Sequence, residues 1–142
     1  MTDTTPTESN LSGLDRKDFQ KNINSRKTDL YILKNAQGME VAVTNYGCAI
    51  LSIMVPDKNG KFANVILGHD SIEHVINSPE PFLSTTIGRY GNRIANGKFT
   101  LYGEEHQLTV NNGPNSLHGG PTGFHARVWD AVSYTHLTLP TN

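Results

Sequence analysis

The sequence is almost free of cysteine: Cys48 is the single cysteine among 142 residues. One thiol cannot form a disulfide within the chain, and it cannot supply a cysteine-based zinc site. Cys48 lies between Gly47 and Ala49, without a cationic neighbour, which is typical of a small buried side chain rather than of a reactive thiol. These features exclude a disulfide-stapled scaffold.

The chain also lacks a charge excess of either sign and any long apolar run. Its 12 Lys and Arg residues balance 13 Asp and Glu residues, for a formal net charge of -1. This balance gives no compositional support for nucleic acid or a membrane as a partner. No apolar run approaches the ~20 residues of a membrane helix. No signal-peptide pattern opens the sequence, so we expect a cytoplasmic protein, with a periplasmic one not excluded.

Length and composition predict one folded domain. A chain of 142 residues is about one domain long, since single domains typically contain ~100–150 residues. Residues 1–13 are dominated at their start by Thr, Ser, Pro and acidic side chains, so we expect a flexible N-terminal tail. Residues 14–132 form the expected folded part.

The apolar pattern predicts an all-β fold. Residues 39–44 alternate Met39, Val41 and Val43 with more polar positions, which is the period of a half-buried strand. Further strands are predicted at 30–33, 50–55, 65–67, 98–102 and 106–110. Turn-type clusters at 35–38, 56–60 and 103–105 separate several of them. The other predicted elements are a helical turn within 14–19 and a short helix over 72–76, capped by Asp70 or Ser71. Short strands between turns favour an antiparallel β-sandwich or barrel.

Two polar, glycine-containing loops are candidates for chemistry. The first, at 86–94, carries Arg89, Asn92 and Arg93, whose planar groups offer several hydrogen-bond donors. The second, at 114–120, presents His118 between a polar turn and a glycine pair, where an imidazole reaches a ligand and titrates near neutrality. From the pattern alone, both also fit ordinary solvated loops, with the arginines paired to carboxylates elsewhere.

Other motifs are weaker. The glycines of the first loop do not form a dinucleotide fingerprint, and no phosphate-binding Gly-Lys-Ser/Thr motif occurs. His69 and His74 lack the neighbouring pattern of a zinc site, so we expect no metal. Trp129 is typical of a core residue, although an indole also stacks on sugar rings.

The two loops together identify a resemblance. Gly-Arg-Tyr-Gly-Asn-Arg-Ile-Ala at 88–95 and Asn-Ser-Leu-His-Gly-Gly at 115–120 are similar, in order and spacing, to two signatures of the aldose 1-epimerases, or galactose mutarotases. The segments 45–50 and 65–68 resemble the family's preceding strands. Gly123-Phe124 and Trp129 continue the similarity. The resemblance covers roughly residues 14–132.

This resemblance implies a large antiparallel β-sandwich of the galactose mutarotase type and an isomerase of hexose metabolism. Such enzymes interconvert the α and β anomers of free aldoses, such as galactose or glucose, by general acid–base ring opening and closure. No metal or organic cofactor is implied, and the partner is a small monosaccharide. By motif position, Asn92 and Arg93 hold sugar hydroxyls, and His118 binds near the reacting end as an auxiliary catalytic group. Arg89 is expected to have a structural pairing.

The resemblance is incomplete at the C-terminal side. The family's acid His and base Glu lie in its later part, and neither His125 nor His136 falls in a matching motif. We therefore expect this chain to be an N-terminal fragment that lacks the main acid and base. Residues 133–142 resemble a translated sequencing-adaptor peptide and are expected to be non-native, with a genuine terminal strand as the alternative.

Two further functions fit the same residues. A relative acting on a hexose phosphate would use additional Arg or Lys side chains to clamp the phosphate. A non-catalytic carbohydrate-binding β-sandwich would bind sugar without turnover. Composition does not separate these from a free-sugar epimerase.

Overall fold

The computed structural model describes residues 10–132, and its strands pair antiparallel throughout. One sheet has four strands and three have two. The predicted all-β antiparallel class is confirmed. The strands are β1 (Asn22–Ile23), β2 (Arg26–Lys27), β3 (Leu30–Lys34), β4 (Glu40–Thr44), β5 (Ala49–Pro56), β6 (Phe62–Asn64), β7 (Arg93–Ile94), β8 (Lys98–Leu101), β9 (Glu104–Gln107) and β10 (Ser116–Leu117). The helix α1 spans Ile72–Ile76, and single 3₁₀ turns span Arg16–Phe19, Ala95–Gly97 and Phe124–Ala126.

The four-stranded sheet has the order β3-β4-β5-β6. Strands β3, β4 and β5 lie where the apolar pattern predicts them, and the turns before and after β4 are tight. Between β4 and β5 the register shifts by one residue, so that Leu51 is left unpaired as a bulge. In the turn between these strands Cys48 adopts a φ of 48°. Its side chain is half-buried, whereas the sequence predicts a buried one.

The burial of β4 is the reverse of what its sequence indicates. Glu40, Ala42 and Thr44 are fully buried, whereas the valines between them keep partial exposure. The Glu40 carboxylate accepts hydrogen bonds from the backbone N–H groups of Leu11 (2.9 Å) and Ser12 (3.1 Å). A buried carboxylate is tolerated when such donors satisfy it, which the alternation of apolar residues does not encode.

The strand predicted at 65–67 is wrong in position, since β6 ends at Asn64. The Asp57 carboxylate accepts from the N–H groups of Asn59 and Lys61, which closes the preceding turn early. Strand β6 therefore begins immediately after that turn, earlier than predicted. The Asn64 side chain then accepts from the N–H of Ile53, which ends regular pairing.

The predicted hairpin is present with a tighter turn. Tyr102 and Gly103 alone connect β8 to β9, at φ values of 51° and 84°. The second strand therefore starts at Glu104 rather than at residue 106, because two left-handed residues form a two-residue turn.

The predicted helical segments are confirmed. Ser71, rather than Asp70, caps α1, because its Oγ accepts from the N–H of His74. The first 3₁₀ turn, Arg16–Phe19, buries Phe19 completely.

The core lies between the main sheet, the first 3₁₀ turn and α1. Its buried apolar members are Phe19, Leu30, Ala42, Ala49, Leu51, Ile72 and Val75. Beside it, Asn45 links distant segments: its amide donates to the carbonyls of Lys27 (3.1 Å) and Trp129 (3.0 Å) and accepts from the N–H of Asp29 (2.8 Å). This buried side chain attaches residues 127–130 to the main sheet.

The ends of the chain lie mostly outside the described residues. Of the expected N-terminal tail only 10–13 are described, and Leu11 and Ser12 are held by Glu40 as above. The expected non-native segment 133–142, with His136, falls entirely outside. Between residues 10 and 132, no helix has the length and apolar character needed to cross a bilayer.

Candidate functional site

A two-stranded sheet joins the two candidate loops. Strand β7 from the first loop pairs antiparallel with β10 from the second, and Leu117 lies opposite Arg93. Ser116 and Leu117 are buried, which anchors this pairing in the body of the protein. The side chain of Asn111 reinforces β10, because it accepts from the N–H of Leu117 (2.7 Å) and donates to its carbonyl (3.1 Å).

The loops also touch at two glycines. A Cβ on Gly119 would lie 1.9 Å from the carbonyl oxygen of Gly88, and Gly119 has a φ of +87°. A Cβ on Gly88 would lie 2.4 Å from the ring of Phe124. A side chain at residue 119 would meet backbone in a left-handed conformation, and one at residue 88 would meet an aromatic ring, so both positions favour glycine.

Reciprocal hydrogen bonds connect Asn92 and His118. The backbone N–H of Asn92 donates to Nδ1 of His118 at 2.9 Å, and the N–H of His118 donates to the carbonyl of Asn92 at 3.0 Å. Both residues have positive φ, 64° and 53°. Because Nδ1 is an acceptor here, the neutral imidazole carries its proton on Nε2. Nε2 has no hydrogen-bond partner among residues 10–132, so it is the ring atom left for a ligand.

Arg93 is exposed and held by amides. Its Nε donates to Oδ1 of Asn112 at 2.8 Å, and Nη1 lies 3.4 Å from Oδ1 of Asn92. Within the described chain neither Arg93 nor Arg89 forms an ion pair. The alternative that these loop arginines pair with carboxylates therefore does not hold for the described residues. Arg93 keeps free terminal N–H groups.

An aromatic residue that the sequence analysis missed supports His118. The ring of Phe82 packs edge-on against the imidazole of His118, with 4.8 Å between ring centres. It packs in the same way against His125, with 4.6 Å between ring centres. His125 is buried, and its Nδ1 has no described partner. This burial lowers the pKa of His125, and the neighbouring His118 lowers it further. No sequence signal marks Phe82, which lies in an irregular segment after Pro79 and Pro81.

Arg89, Phe124 and Trp129 form a neighbouring group. The guanidinium of Arg89 lies 5.7 Å from the centre of the Phe124 ring, a cation–π contact. Trp129 packs edge-on against Phe124, with 5.2 Å between ring centres. Its Nε1–H donates to the backbone carbonyl of Phe124. The indole is half-buried and lines an open cavity of about 470 Å³. Arg89 therefore packs against an aromatic ring. Trp129 forms a structural hydrogen bond and also presents part of its indole to the cavity.

Metal-ligating geometry is not found in the described part of the molecule. No group of three or more His, Cys, Asp or Glu side chains there could hold an ion. His74, considered in the sequence analysis, pairs instead with Asp70 four residues earlier.

The three predicted site residues thus lie together on one surface. Asn92 and Arg93 are exposed, and His118 is half-buried between them and Phe82. Their amide, guanidinium and imidazole groups donate and accept hydrogen bonds, which suits hydroxyl-rich ligands. Fold and site define an all-β protein with a polar recognition surface built from loops.

The chain belongs to the aldose 1-epimerase family. The model of that family, described as Aldose 1-epimerase, matches residues 29–140. Galactose mutarotase from Bos taurus is 43% identical over 91 residues, which is 64% of this chain and 26% of that protein. Aldose 1-epimerase from Escherichia coli K12 is 40% identical over 104 residues, 73% of this chain and 30% of that protein.

Solved structures agree with this assignment. A GalM/aldose epimerase homologue from C. elegans superposes with a TM-score of 0.70 at 33% identity, covering 76% of this chain and 33% of its own. Galactose 1-epimerase from Lactobacillus acidophilus NCFM gives a TM-score of 0.64 at 32% identity, covering 78% of this chain and 31% of its own. The fold is therefore of the galactose mutarotase type. The chain spans about a third or less of the length of these relatives.

Proposed function

We propose that this chain carries part of the sugar site of an enzyme that interconverts the α and β anomers of free aldoses. The observation that carries the proposal is the reciprocal hydrogen bonding of Asn92 and His118, which fixes both signature loops as one surface. Family membership supplies the reaction class, and the relatives named galactose mutarotase support galactose as the first sugar to test.

Each site residue has a proposed role. His118 presents Nε2–H to an oxygen near the reacting end of the sugar and assists acid–base ring opening as an auxiliary group. The free N–H groups of Arg93 donate to sugar hydroxyls. Asn92 holds a hydroxyl through its side-chain Nδ2, while its Oδ1 faces Arg93.

The proposed contribution of this chain is binding rather than complete catalysis. No residue of the chain matches the family's principal acid His or base Glu. His125, which lies close to His118, is buried beneath Phe82 and is not proposed as the acid. We therefore expect galactose binding by the chain without acceleration of mutarotation in a polarimeter. Acceleration that disappears in His118→Ala would contradict the second part of this expectation.

Binding is tested by titrating the ¹⁵N-labelled chain with galactose and following amide resonances. We expect shifts concentrated at residues 92–94 and 117–119. Arg93→Ala should weaken binding at least about tenfold, because a hydrogen bond from a charged donor contributes ~1.5–3 kcal/mol. Arg93→Lys should also weaken it, because an ammonium does not reproduce the planar fork. Arg16→Ala, which removes an exposed arginine that pairs with Asp29 away from both loops, is the matched control and should bind normally.

The outcomes separate the alternatives. Tighter binding of glucose 6-phosphate than of glucose would favour the hexose-phosphate relative. Absence of any galactose- or glucose-dependent shift at both loops would overturn the proposal.

A further inference from the structure

Arg93 can bind a ligand selectively only if its flexible side chain is held in place. An exposed arginine loses substantial rotamer freedom when it becomes fixed, and that loss opposes binding. In this structure the Nε of Arg93 donates to Oδ1 of Asn112 at 2.8 Å, while the contact of Nη1 with Asn92 is longer, at 3.4 Å. The short bond to Asn112 is therefore the principal restraint on the guanidinium.

Asn112 is itself held on a rigid turn. Its N–H donates to the carbonyl of Asn115 at 3.0 Å, and the N–H of Asn115 donates back to the carbonyl of Asn112 at 2.9 Å. The preceding residue, Asn111, fixes strand β10 through Leu117. The side chain of Asn112 takes no part in this backbone network, so it is free to orient Arg93.

The chemistry of an amide suits this task. Asn112 accepts from Nε, the inner nitrogen, and so leaves the outer Nη groups for a ligand. As a neutral acceptor it also leaves the positive charge of Arg93 uncompensated, and no carboxylate in the described part of the chain pairs with that guanidinium. A carboxylate at the same place would hold the geometry and neutralise the charge.

We propose that Asn112 is a positioning residue of the sugar site, which fixes the guanidinium of Arg93 through Nε so that its outer edge faces the ligand. The inference rests on the proposed function in one respect, namely that Arg93 binds the sugar. Neither signature motif includes residue 112, so the sequence did not mark it.

The test uses the full chain and two independent readouts. The first is the rate at which the Arg93 Nε–H proton exchanges with water, measured by NMR. The second is the galactose dissociation constant. In Asn112→Ala we expect exchange to accelerate to the range of solvent-exposed arginines, and the dissociation constant to rise about three- to tenfold, the effect of freeing one long side chain. Asn77→Ala, which removes an amide hydrogen bond from α1, should change neither.

A second variant separates positioning from folding. Asn112→Asp keeps an acceptor at the same atom and should restore slow exchange at Arg93 Nε–H. Unchanged exchange in Asn112→Ala, or faster exchange with unaltered galactose affinity, would overturn the proposal. A wild-type chain that shows slow exchange lost in Asn112→Ala, but no galactose binding, would overturn the proposed function while leaving the orienting bond established.

Discussion

At the scale of single residues, Gly119 marks a close backbone approach between the two signature loops. A Cβ there would meet the Gly88 carbonyl at 1.9 Å and would sit on a φ of +87°. Gly60 has a similar φ of +79° but nothing within 4 Å of a built Cβ. The two glycines therefore separate the cost of conformation from the cost of a steric clash.

We expect Gly119→Ala to lower the free energy of unfolding more than Gly60→Ala. A left-handed alanine alone costs about 1–2 kcal/mol. Forcing a methyl group against backbone adds about 1–3 kcal/mol more. Urea denaturation of both variants measures the difference, and equal losses would show that the loops separate easily.

His125 should make stability depend on pH. Burial and the nearby His118 lower its pKa in the folded chain below the usual 6.5. Above pH 6.5 both states hold a neutral ring, and as the pH falls through that value the unfolded chain gains a proton that the folded chain does not bind. Stability is therefore lost with falling pH until the folded-state pKa is reached.

Urea unfolding as a function of pH tests this expectation. The slope in that window should flatten in His125→Asn and persist in His106→Asn, whose ring stacks on Phe99 at the surface. The pKa values of some aspartates, such as Asp57 and Asp70, are also lowered. Their titration changes stability only near or below pH 3.8, so it does not affect the slope assigned to His125. A slope unaltered in His125→Asn would contradict the assignment.

The site residues show what a sequence conveys and what it does not. Asn92, Arg93 and His118 could be selected because they belong to motifs. Their contact could not, because it runs through a backbone N–H that every residue possesses. Phe82 and Asn112 gave no signal, since a ring contact and an amide bond depend on how separate segments meet.

At the scale of elements, the β8–β9 hairpin carries an unfavourable turn residue. Tyr102 is 98% exposed and adopts a φ of 51° before Gly103. Asparagine tolerates this conformation far better than an aromatic residue, and Asn-Gly is the preferred pair for such turns. Tyr102→Asn should therefore raise the free energy of unfolding by about 0.5–1 kcal/mol.

Thermal and urea unfolding of Tyr102→Asn provide the measurement. Tyr90→Asn is the matched control, because Tyr90 is also exposed but is not left-handed. A gain in both variants would point to solubility rather than to the turn.

The secondary-structure elements could be predicted from the sequence where interactions between neighbouring residues determine them. Strands β3 to β5, the Ser71 cap and the Asp57 turn all rest on neighbouring residues. The position of β6 and the buried face of β4 did not follow. The Asp57 turn starts β6 early and Asn64 ends it by accepting from the N–H of Ile53, while Glu40 takes its partners from the N-terminal segment. Apolar alternation does not register such partners.

At the scale of the whole molecule, many large apolar side chains face solvent. Leu33 on the edge strand β3 is 60% exposed, and Leu67 is 76% exposed. A formal net charge of -1 offers little repulsion between copies. We expect this 142-residue chain to self-associate in a concentration-dependent manner through exposed apolar surface and unpaired strand edges.

Sedimentation velocity over a dilution series tests this. Leu33→Lys should shift the chain toward monomer, because a charge on an edge strand opposes pairing. Ala36→Lys adds the same charge in the adjacent turn and should shift it less. A single monomer species at every concentration would refute the expectation.

The amide of Asn45 has a consequence for the order of folding. Its bond to the Trp129 carbonyl joins residues 84 apart in sequence. Closing so long a loop costs more chain entropy than forming the local hairpins, so this bond forms late. Bonds formed late mainly slow unfolding. We therefore expect the segment at Trp129 to be among the last to join the folding chain and among the first to leave it.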